Sequence, residues 1–430
     1  MNVGIVSLGC AKNLVDSETI AYLFQDNEVN IVNDIDEADI ILINTCGFID
    51  SSKQESIDTI LELAQYNKIL VVTGCLVQRY KEELIKEIPE VDLFISISDY
   101  PKFPSLLNEV IKNKTFKGEI SNNKRVLSTQ KFTAYLKISE GCNNRCTYCA
   151  IPLIRGGFMS FPLDELINQA KDLVNQGVNE LVVISQDTTR YGEDLENVNI
   201  VTLLKELLKI EKLDYIRLLY LYPDEITDEL IDLIGKNPRL TPYFDVPVQH
   251  ASSSVLKRMN RRGDEAFLKD LFKKIRKKVP NATLRTTLIV GFPGEEEEDF
   301  DNLVDFIKEV KFDHLGAFTY SQEEGTSSAL MDNQIDEEIK QDRYEKIMEI
   351  QQRISLENNS KRVGQTSYGL VIGFSEEESA YLIRSGFNAP DGIDGNIYCY
   401  SEDELSLGQK VRFEIIEYNE YDLYAKIITE

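Results

Sequence analysis

Apolar residues occur in this chain as short, almost unbroken runs, separated by longer stretches with helical spacing. In the first hundred positions the runs lie at 3–8, 39–44, 68–73 and 92–97, with helical patterns at 17–24 and 54–65 between them. Such runs mark strands buried on both faces, and their alternation with helices marks a parallel sheet. Region 113–129, rich in Lys, Asn and Ser, breaks the pattern and reads as a linker. Further runs follow at 134–139, 180–185, 215–222, 243–248, 284–290 and 315–320, spaced by helical stretches such as 163–175 and 298–310. Six strand–helix repeats predict a partial (β/α) barrel with its site at the carboxyl ends of the strands. A charged helix at 336–359, with Ile339, Ile347, Ile350 and Ile354 on its apolar positions, leads into five short strands at 368–372, 380–384, 396–400, 410–416 and 423–428. Turn residues, including Asp391-Gly392 and Asp394-Gly395, separate these strands and predict a small β-barrel. The predicted fold class is α/β in three parts: an N-terminal open parallel sheet over 1–115, a central partial six-stranded barrel over 128–358, and a C-terminal five-stranded β-barrel over 361–430.

Cysteines add chemistry to this frame. The first three runs end at Gly9-Cys10, Thr45-Cys46-Gly47 and Gly74-Cys75. Ligand sites in open α/β sheets lie beyond the carboxyl ends of the strands, so Cys10, Cys46 and Cys75 are expected to be neighbours in space. A single buried cysteine is usually a small core hydrophobe, but one at each of three strand ends, each beside glycine, points to a metal or cluster site. A second set, Cys142, Cys146 and Cys149, has the spacing C-x-x-x-C-x-x-C within Gly141-Cys142-Asn143-Asn144-Arg145-Cys146-Thr147-Tyr148-Cys149. Thiolates suit iron–sulfur clusters or zinc. A structural zinc site takes four ligands, whereas three on a four-iron cluster leave one iron open for a reaction. Cys399, inside an apolar strand, reads as core.

Polar residues also stand at the barrel's strand ends: Ser185-Gln186-Asp187, Gln249-His250, and Gly291 through Glu295. Such residues cap helices and turns, and barrel sites are built from the same positions. Gln186, Asp187, Gln249 and Gly291 are therefore the candidates for holding a cofactor. The acidic run 295–298 is expected to be a solvated helix start, and Lys273, Lys274, Arg276, Lys277 and Lys278 an exposed helix face. His250 and His314 are the only histidines, and neither has a ligand partner at helical spacing.

The net charge of −26 argues against a general nucleic-acid binder and favours a basic partner. Beyond Ser360, six Lys or Arg against thirteen acids leave −7, which repels a phosphate backbone and attracts a basic protein. No apolar run is long enough to span a bilayer, and the opening residues lack the basic region of a signal peptide, so a cytoplasmic protein without membrane contact is expected.

The Cys142 motif, with aromatic Tyr148 before its last cysteine, resembles the signature of radical S-adenosylmethionine enzymes. The order of the three parts resembles the methylthiotransferase family over essentially the whole chain. Matching stretches are the two cysteine sets, Gln249-His250-Ala251-Ser252 with Leu256-Lys257-Arg258-Met259, and Ile289-Val290-Gly291-Phe292-Pro293-Gly294-Glu295. Leu8-Gly9-Cys10-Ala11-Lys12-Asn13 and Ile184-Ser185-Gln186-Asp187-Thr188 resemble the branch that modifies a ribosomal protein; the transfer-RNA branch usually carries Gln-Met-Asn after its first cysteine. The resemblance implies two 4Fe-4S clusters, one on each cysteine set, with S-adenosylmethionine bound at the open iron of the Cys142 set beside Tyr148. It implies a TRAM-like C-terminal barrel, an electron donor, and an aspartate of small-subunit ribosomal protein twelve as substrate, methylthiolated at its β-carbon with sulfur delivered at the second cluster. Nucleic acid would be met only through the ribosome. The rival readings are a transfer-RNA adenosine methylthiotransferase, a non-catalytic iron–sulfur electron carrier, and a structural zinc module. One stretch departs from the family, which commonly places arginines shortly after Arg155-Gly156, where this chain has Gly157, Phe158, Met159, Ser160 and Phe161.

Overall fold

The computed structural model describes residues 1–121, 124–390 and 392–428. Asp391, which opens one expected turn, and Glu430, one of the counted acids, lie outside the described residues.

The first part is a parallel sheet of β1 (Asn2–Ser7), β2 (Asn30–Val32), β3 (Ile40–Thr45), β4 (Ile69–Gly74) and β5 (Leu93–Ile95), in the order β2-β1-β3-β4-β5. Helices α1 (Ala11–Asp26), α2 (Asp50–Ala64), α3 (Cys75–Glu87) and α4 (Phe103–Val110) cover it. One face packs on Ile20, Phe24 and Phe103, the other on Ile60, Leu76 and Leu84, which is why β3 and β4 are apolar at nearly every position. The edge strand β2 escaped the sequence reading because three residues are too few to show a pattern. The linker has no helix or strand among its described residues, but it is pinned: Arg125 donates to the Tyr135 carbonyl at 2.7 Å and pairs with Glu18 at 3.3 Å.

The second part opens with β6 (Thr133–Lys137) and the short antiparallel pair β7 (Ser139–Glu140) and β8 (Met159–Ser160), with α5 (Ile151–Arg155) between them. It continues through α6 (Leu163–Asn175), β9 (Glu180–Ile184), α7 (Ile200–Leu207), β10 (Tyr215–Leu218), α8 (Asp228–Lys236), β11 (Tyr243–Asp245), α9 (Ser253–Arg258), α10 (Glu265–Lys278), β12 (Thr283–Val290), α11 (Glu297–Val310) and β13 (His314–Thr319). The six long strands are parallel and follow chain order in two groups, β6-β9-β10 and β11-β12-β13. A parallel bridge between Ile216 and Leu240 and a bond from the Leu221 amide to the Asp245 carbonyl, 2.9 Å, join the groups into the expected partial barrel. Ala11 and Val15 of α1 pack with Tyr135, Val182, Ile184 and Leu219, so the N-terminal part leans into this barrel.

Helix α12 (Glu337–Ser360) buries Ile347 and Ile354 as expected, but Ile339 is 43 % exposed. Lys340 and Arg343 occupy the buried face of the first turns instead. The third part is a closed barrel of β14 (Thr366–Ser375), β15 (Ala380–Ser385), β16 (Ile397–Tyr400), β17 (Lys410–Tyr418) and β18 (Leu423–Ile427), filled by Phe413, Ile415, Cys399 and their neighbours. It docks at the amino ends of the central strands, where Arg384 pairs with Glu180 at 2.5 Å and Arg217 donates to the Ser385 carbonyl at 2.6 Å. Among the described residues, no helix is long and apolar enough to cross a membrane.

Candidate functional site

The Cys142 motif forms an irregular loop between β7 and α5, at the carboxyl end of the barrel. Gly141 has φ +71°, and a Cβ there would lie 2.2 Å from the Gly157 carbonyl oxygen, so only glycine lets the two limbs of the loop close. The Cys142 amide donates to the Gly156 carbonyl at 3.3 Å, and the Cys149 amide to the Cys146 carbonyl at 3.1 Å, which curls the three thiols round one turn. Outer contacts fix it: the Thr147 amide donates to Met259, and the Ser328 amide to Thr147. Tyr148 packs with Phe292, Met259 and Ile289. Its hydroxyl accepts from Arg261 at 3.1 Å, and Arg261 lies 3.8 Å from the Cys146 sulfur and 4.2 Å over the Tyr222 ring. The Tyr222 hydroxyl is itself 3.7 Å from that sulfur. Sequence reasoning missed Tyr222 and Arg261; Tyr222 closes the third barrel run, a strand-end signal that was available, whereas Arg261 gave none.

The other candidates divide. Asp187 accepts from Asn144, inside the cysteine loop, at 2.6 Å and from Thr189 at 2.7 Å; burial pushes its carboxyl above the usual range. Gln186 donates to Glu140, just before the loop, at 2.9 Å. Gln249 sits at φ +69°, bonded through its backbone to Thr287 and Ile289 on β12. At Gly291 the space where a Cβ would stand is taken by the Lys340 side chain, 2.2 Å from the Cβ position. Glu295 is not part of a solvated helix start: it is 2 % exposed, pairs with Arg343 at 2.8 Å, and is pushed up to about 7 by burial. His250 is fully buried, accepts from the Ser252 amide through Nδ1, and leaves Nε2 3.7 Å from Glu295. In the basic run, Lys273, Lys274, Lys277 and Lys278 are exposed as expected, and Lys274 and Lys278 pair with Asp228 and Asp232 of α8.

Cys10, Cys46 and Cys75 do converge. Cys10 caps α1 and is exposed, Cys46 follows β3, and Cys75 begins α3; the last two are buried. Gly9 has φ +86°, and a Cβ on it would lie 2.7 Å from Cys46 Cβ and 2.9 Å from its sulfur, so the first strand end touches the second. Asn13 ties the group together: its amide donates to the carbonyls of Leu8 and Thr45, both at 3.0 Å, and its oxygen is 3.5 Å from the Cys75 sulfur.

The two sets face each other across one interface. Cys75 packs against Ala150, the residue directly after Cys149, and against Ile154. Arg155 lies 3.5 Å from the Cys75 sulfur, donates to Asn13 at 2.5 Å and pairs with Asp16 at 2.6 Å and Glu140 at 3.3 Å. Lys137 pairs with the same two carboxylates at 2.5 and 2.9 Å. Burial pushes the Cys75 thiol up to about 11 and the Cys149 thiol up to about 12.

Comparison with known proteins matches three segments of the chain. Residues 2–96 match the uncharacterized protein family UPF0004, residues 136–307 the radical SAM superfamily, and residues 363–428 the TRAM domain. A radical SAM superfamily core implies one 4Fe-4S cluster and S-adenosylmethionine. Among solved structures, the radical S-adenosylmethionine methyltransferase TsrM from Kitasatospora setae shares the fold at TM-score 0.55 and 13 % identity, over 74 % of this chain and 72 % of that one. The radical enzyme OxsB does so at 0.52 and 14 %, over 80 % and 56 %. The ribosomal protein uS12 methylthiotransferase RimO of Alkaliphilus oremlandii is 47 % identical over 437 residues, covering all of both chains. That of Acetivibrio thermocellus is 44 % identical over 447 residues, covering 100 % of this chain and 98 % of its own. With that identity over its full length, and both cysteine sets gathered at one interface, the chain belongs to the ribosomal protein uS12 methylthiotransferase family.

Proposed function

We propose that this protein methylthiolates the β-carbon of an aspartate in ribosomal protein uS12, using S-adenosylmethionine and two iron–sulfur clusters. Cys142, Cys146 and Cys149 would hold one 4Fe-4S cluster and Cys10, Cys46 and Cys75 the other, within units at 1–115, 128–358 and 361–430. The donors suit such groups: all six thiols are free. Among the described residues no three Cys, His, Asp or Glu side chains are gathered tightly enough for a single metal ion, and a cubane holds its thiolates farther apart than one ion does. When bound, these cofactors supply the radical and sulfur-transfer chemistry that an unactivated carbon needs and that acid–base groups cannot provide.

The chain's own part is placement. Gly141 and Gly9 let the two thiol sets close, Arg261 and Arg155 put positive charge beside Cys146 and Cys75, and Tyr148 and Tyr222 wall off the first set. Asp187 and Gln186 steady the Cys142 loop through Asn144 and Glu140. The observation that supports the reading is the packing of Cys75 on Ala150, the residue after Cys149, which brings the two cysteine sets to one interface. We further assign an electron donor and a basic ribosomal partner, in the cytoplasm; the acidic chain, −26 overall, favours that partner over bare nucleic acid.

The test is direct. The protein, reconstituted anaerobically with iron and sulfide, is offered a uS12 peptide and, separately, transfer RNA, with S-adenosylmethionine and a reductant. A mass gain of one methylthio group on the peptide alone is expected. Modification of the transfer RNA instead would move the chain to the other branch's substrate.

A further inference from the structure

Most buried cations among the described residues come with carboxylates. Lys137 and Arg155 share Asp16 and Glu140, Arg343 has Glu295, Arg125 has Glu18, and Arg384 has Glu180. Two do not: Arg261, held by the Tyr148 hydroxyl and the Pro247 carbonyl beside the Cys146 sulfur, and Lys12. The Lys12 side chain is buried, 8 % exposed, and its ammonium donates to the Ser185 carbonyl at 3.3 Å and lies 3.7 Å over the Tyr220 ring. No carboxylate among the described residues forms an ion pair with it. A carbonyl and a ring face return only part of what water gives an ammonium, and beyond the Cys10 sulfur, two residues back, the group has no carboxylate of its own.

Its place makes that vacancy informative. Lys12 is in the first turn of α1, two residues after Cys10, and reaches across to the carboxyl end of β9. There Ser185 starts the rim whose next two residues brace the Cys142 loop. The ammonium therefore stands at the seam between the Cys10 turn and the barrel rim that braces the Cys142 loop. We propose that Lys12 is a specificity residue that receives the side-chain carboxylate of the substrate aspartate, an inference resting on the function proposed above. The reacting β-carbon is bonded directly to that carboxylate, so one salt bridge fixes the carbon to be attacked. An adenine base brings no anion to this point.

The experiment uses peptides spanning the target aspartate of uS12, with Asp, Asn or Ala at that position, titrated against the reconstituted protein. Binding is read by fluorescence anisotropy, next to iron content and turnover. Wild type should bind the Asp peptide roughly ten- to a hundred-fold more tightly than the Asn peptide, the range of one charge-assisted contact. Lys12→Met should erase that preference and raise KM more than it lowers kcat, and Lys12→Arg should restore most of it. Equal binding of Asp and Asn peptides by wild type, or a preference kept by Lys12→Met, overturns the proposal. So does loss of iron in Lys12→Met, which would give Lys12 to the thiol cage. A wild-type enzyme that binds the Asp peptide yet never methylthiolates it would overturn the proposed function, and this inference with it.

Discussion

Arg155 joins the N-terminal sheet to the barrel, and its replacement by Met, which keeps most of the stem's volume, tests how much that joint carries. In the wild type two cations, Lys137 and Arg155, serve two carboxylates, Asp16 and Glu140, whose side chains are 4 % and 19 % exposed. The variant leaves one cation for both, and takes a donor from the Asn13 oxygen as well. Breaking a buried pair from one side costs about 3–5 kcal/mol. Lys137 remains as a shared partner, which puts the loss near the lower bound, and the lost Asn13 contact adds about 1 kcal/mol. The sum is about 4 kcal/mol, or a melting midpoint lowered by about 4–5 °C for a chain of 430 residues melting as one unit. Urea and thermal melts of the metal-free protein measure it, and limited proteolysis should show earlier cutting in the 113–129 linker as the two parts separate. The charge argument makes a second demand: Arg155→Met combined with Asp16→Asn removes one charge of each sign, and should recover about 2 kcal/mol relative to the single variant. A single-variant loss below about 1 kcal/mol, or a double variant weaker than the single, refutes the reasoning.

The other predictions follow from the same geometry. Cys146→Ala should abolish both S-adenosylmethionine cleavage and product, whereas Cys46→Ala should still release 5′-deoxyadenosine but make no methylthio product; a well-folded Cys46→Ala protein that cannot cleave would contradict the division of labour. Gly9→Ala drives a methyl group into Cys46 and, on the two-cluster reading proposed above, should lower the iron bound per chain by about half, while the spectrum of the Cys142 set persists. Burial lowers His250 to about 3 from an ordinary 6.5, so below pH 6.5 the unfolded chain binds a proton that the folded chain refuses, and stability from this group falls as the pH drops. Glu295, raised by burial to about 7 from 4.5, acts in the opposite sense between those values, so the quantity to measure is wild type minus His250→Gln. With Asp299, Arg258 and Arg343 unchanged around the ring, that difference should shrink by about 2 kcal/mol between pH 7 and pH 5, and a constant difference would show that His250 does not titrate this way.

The parts of this molecule that could be read in its sequence are those governed by local pattern. β3 and β4 lie between two apolar layers, so they are apolar up to their last two residues, and the cysteines that follow them had to share an edge. What pattern could not supply was the partner of a buried charge. Glu295 reads as a solvated helix start until Arg343, far along the chain, closes on it, and the same pairing puts Arg343 rather than Ile339 on the buried face of α12. Arg155 is equally silent, because its partners Asn13 and Asp16 lie on α1, in the N-terminal part of the chain. The stretch after Gly156, where this chain lacks its family's arginines, shows the converse. Its structural work is done by backbone: the Gly156 carbonyl holds the Cys142 amide, the Gly157 carbonyl packs on Gly141, and the Phe158 amide donates to Asn143 at 3.1 Å. Side chains there are free of that duty, and Met159 is 54 % exposed, so apolar residues replace arginines without disturbing the loop that positions the three thiols.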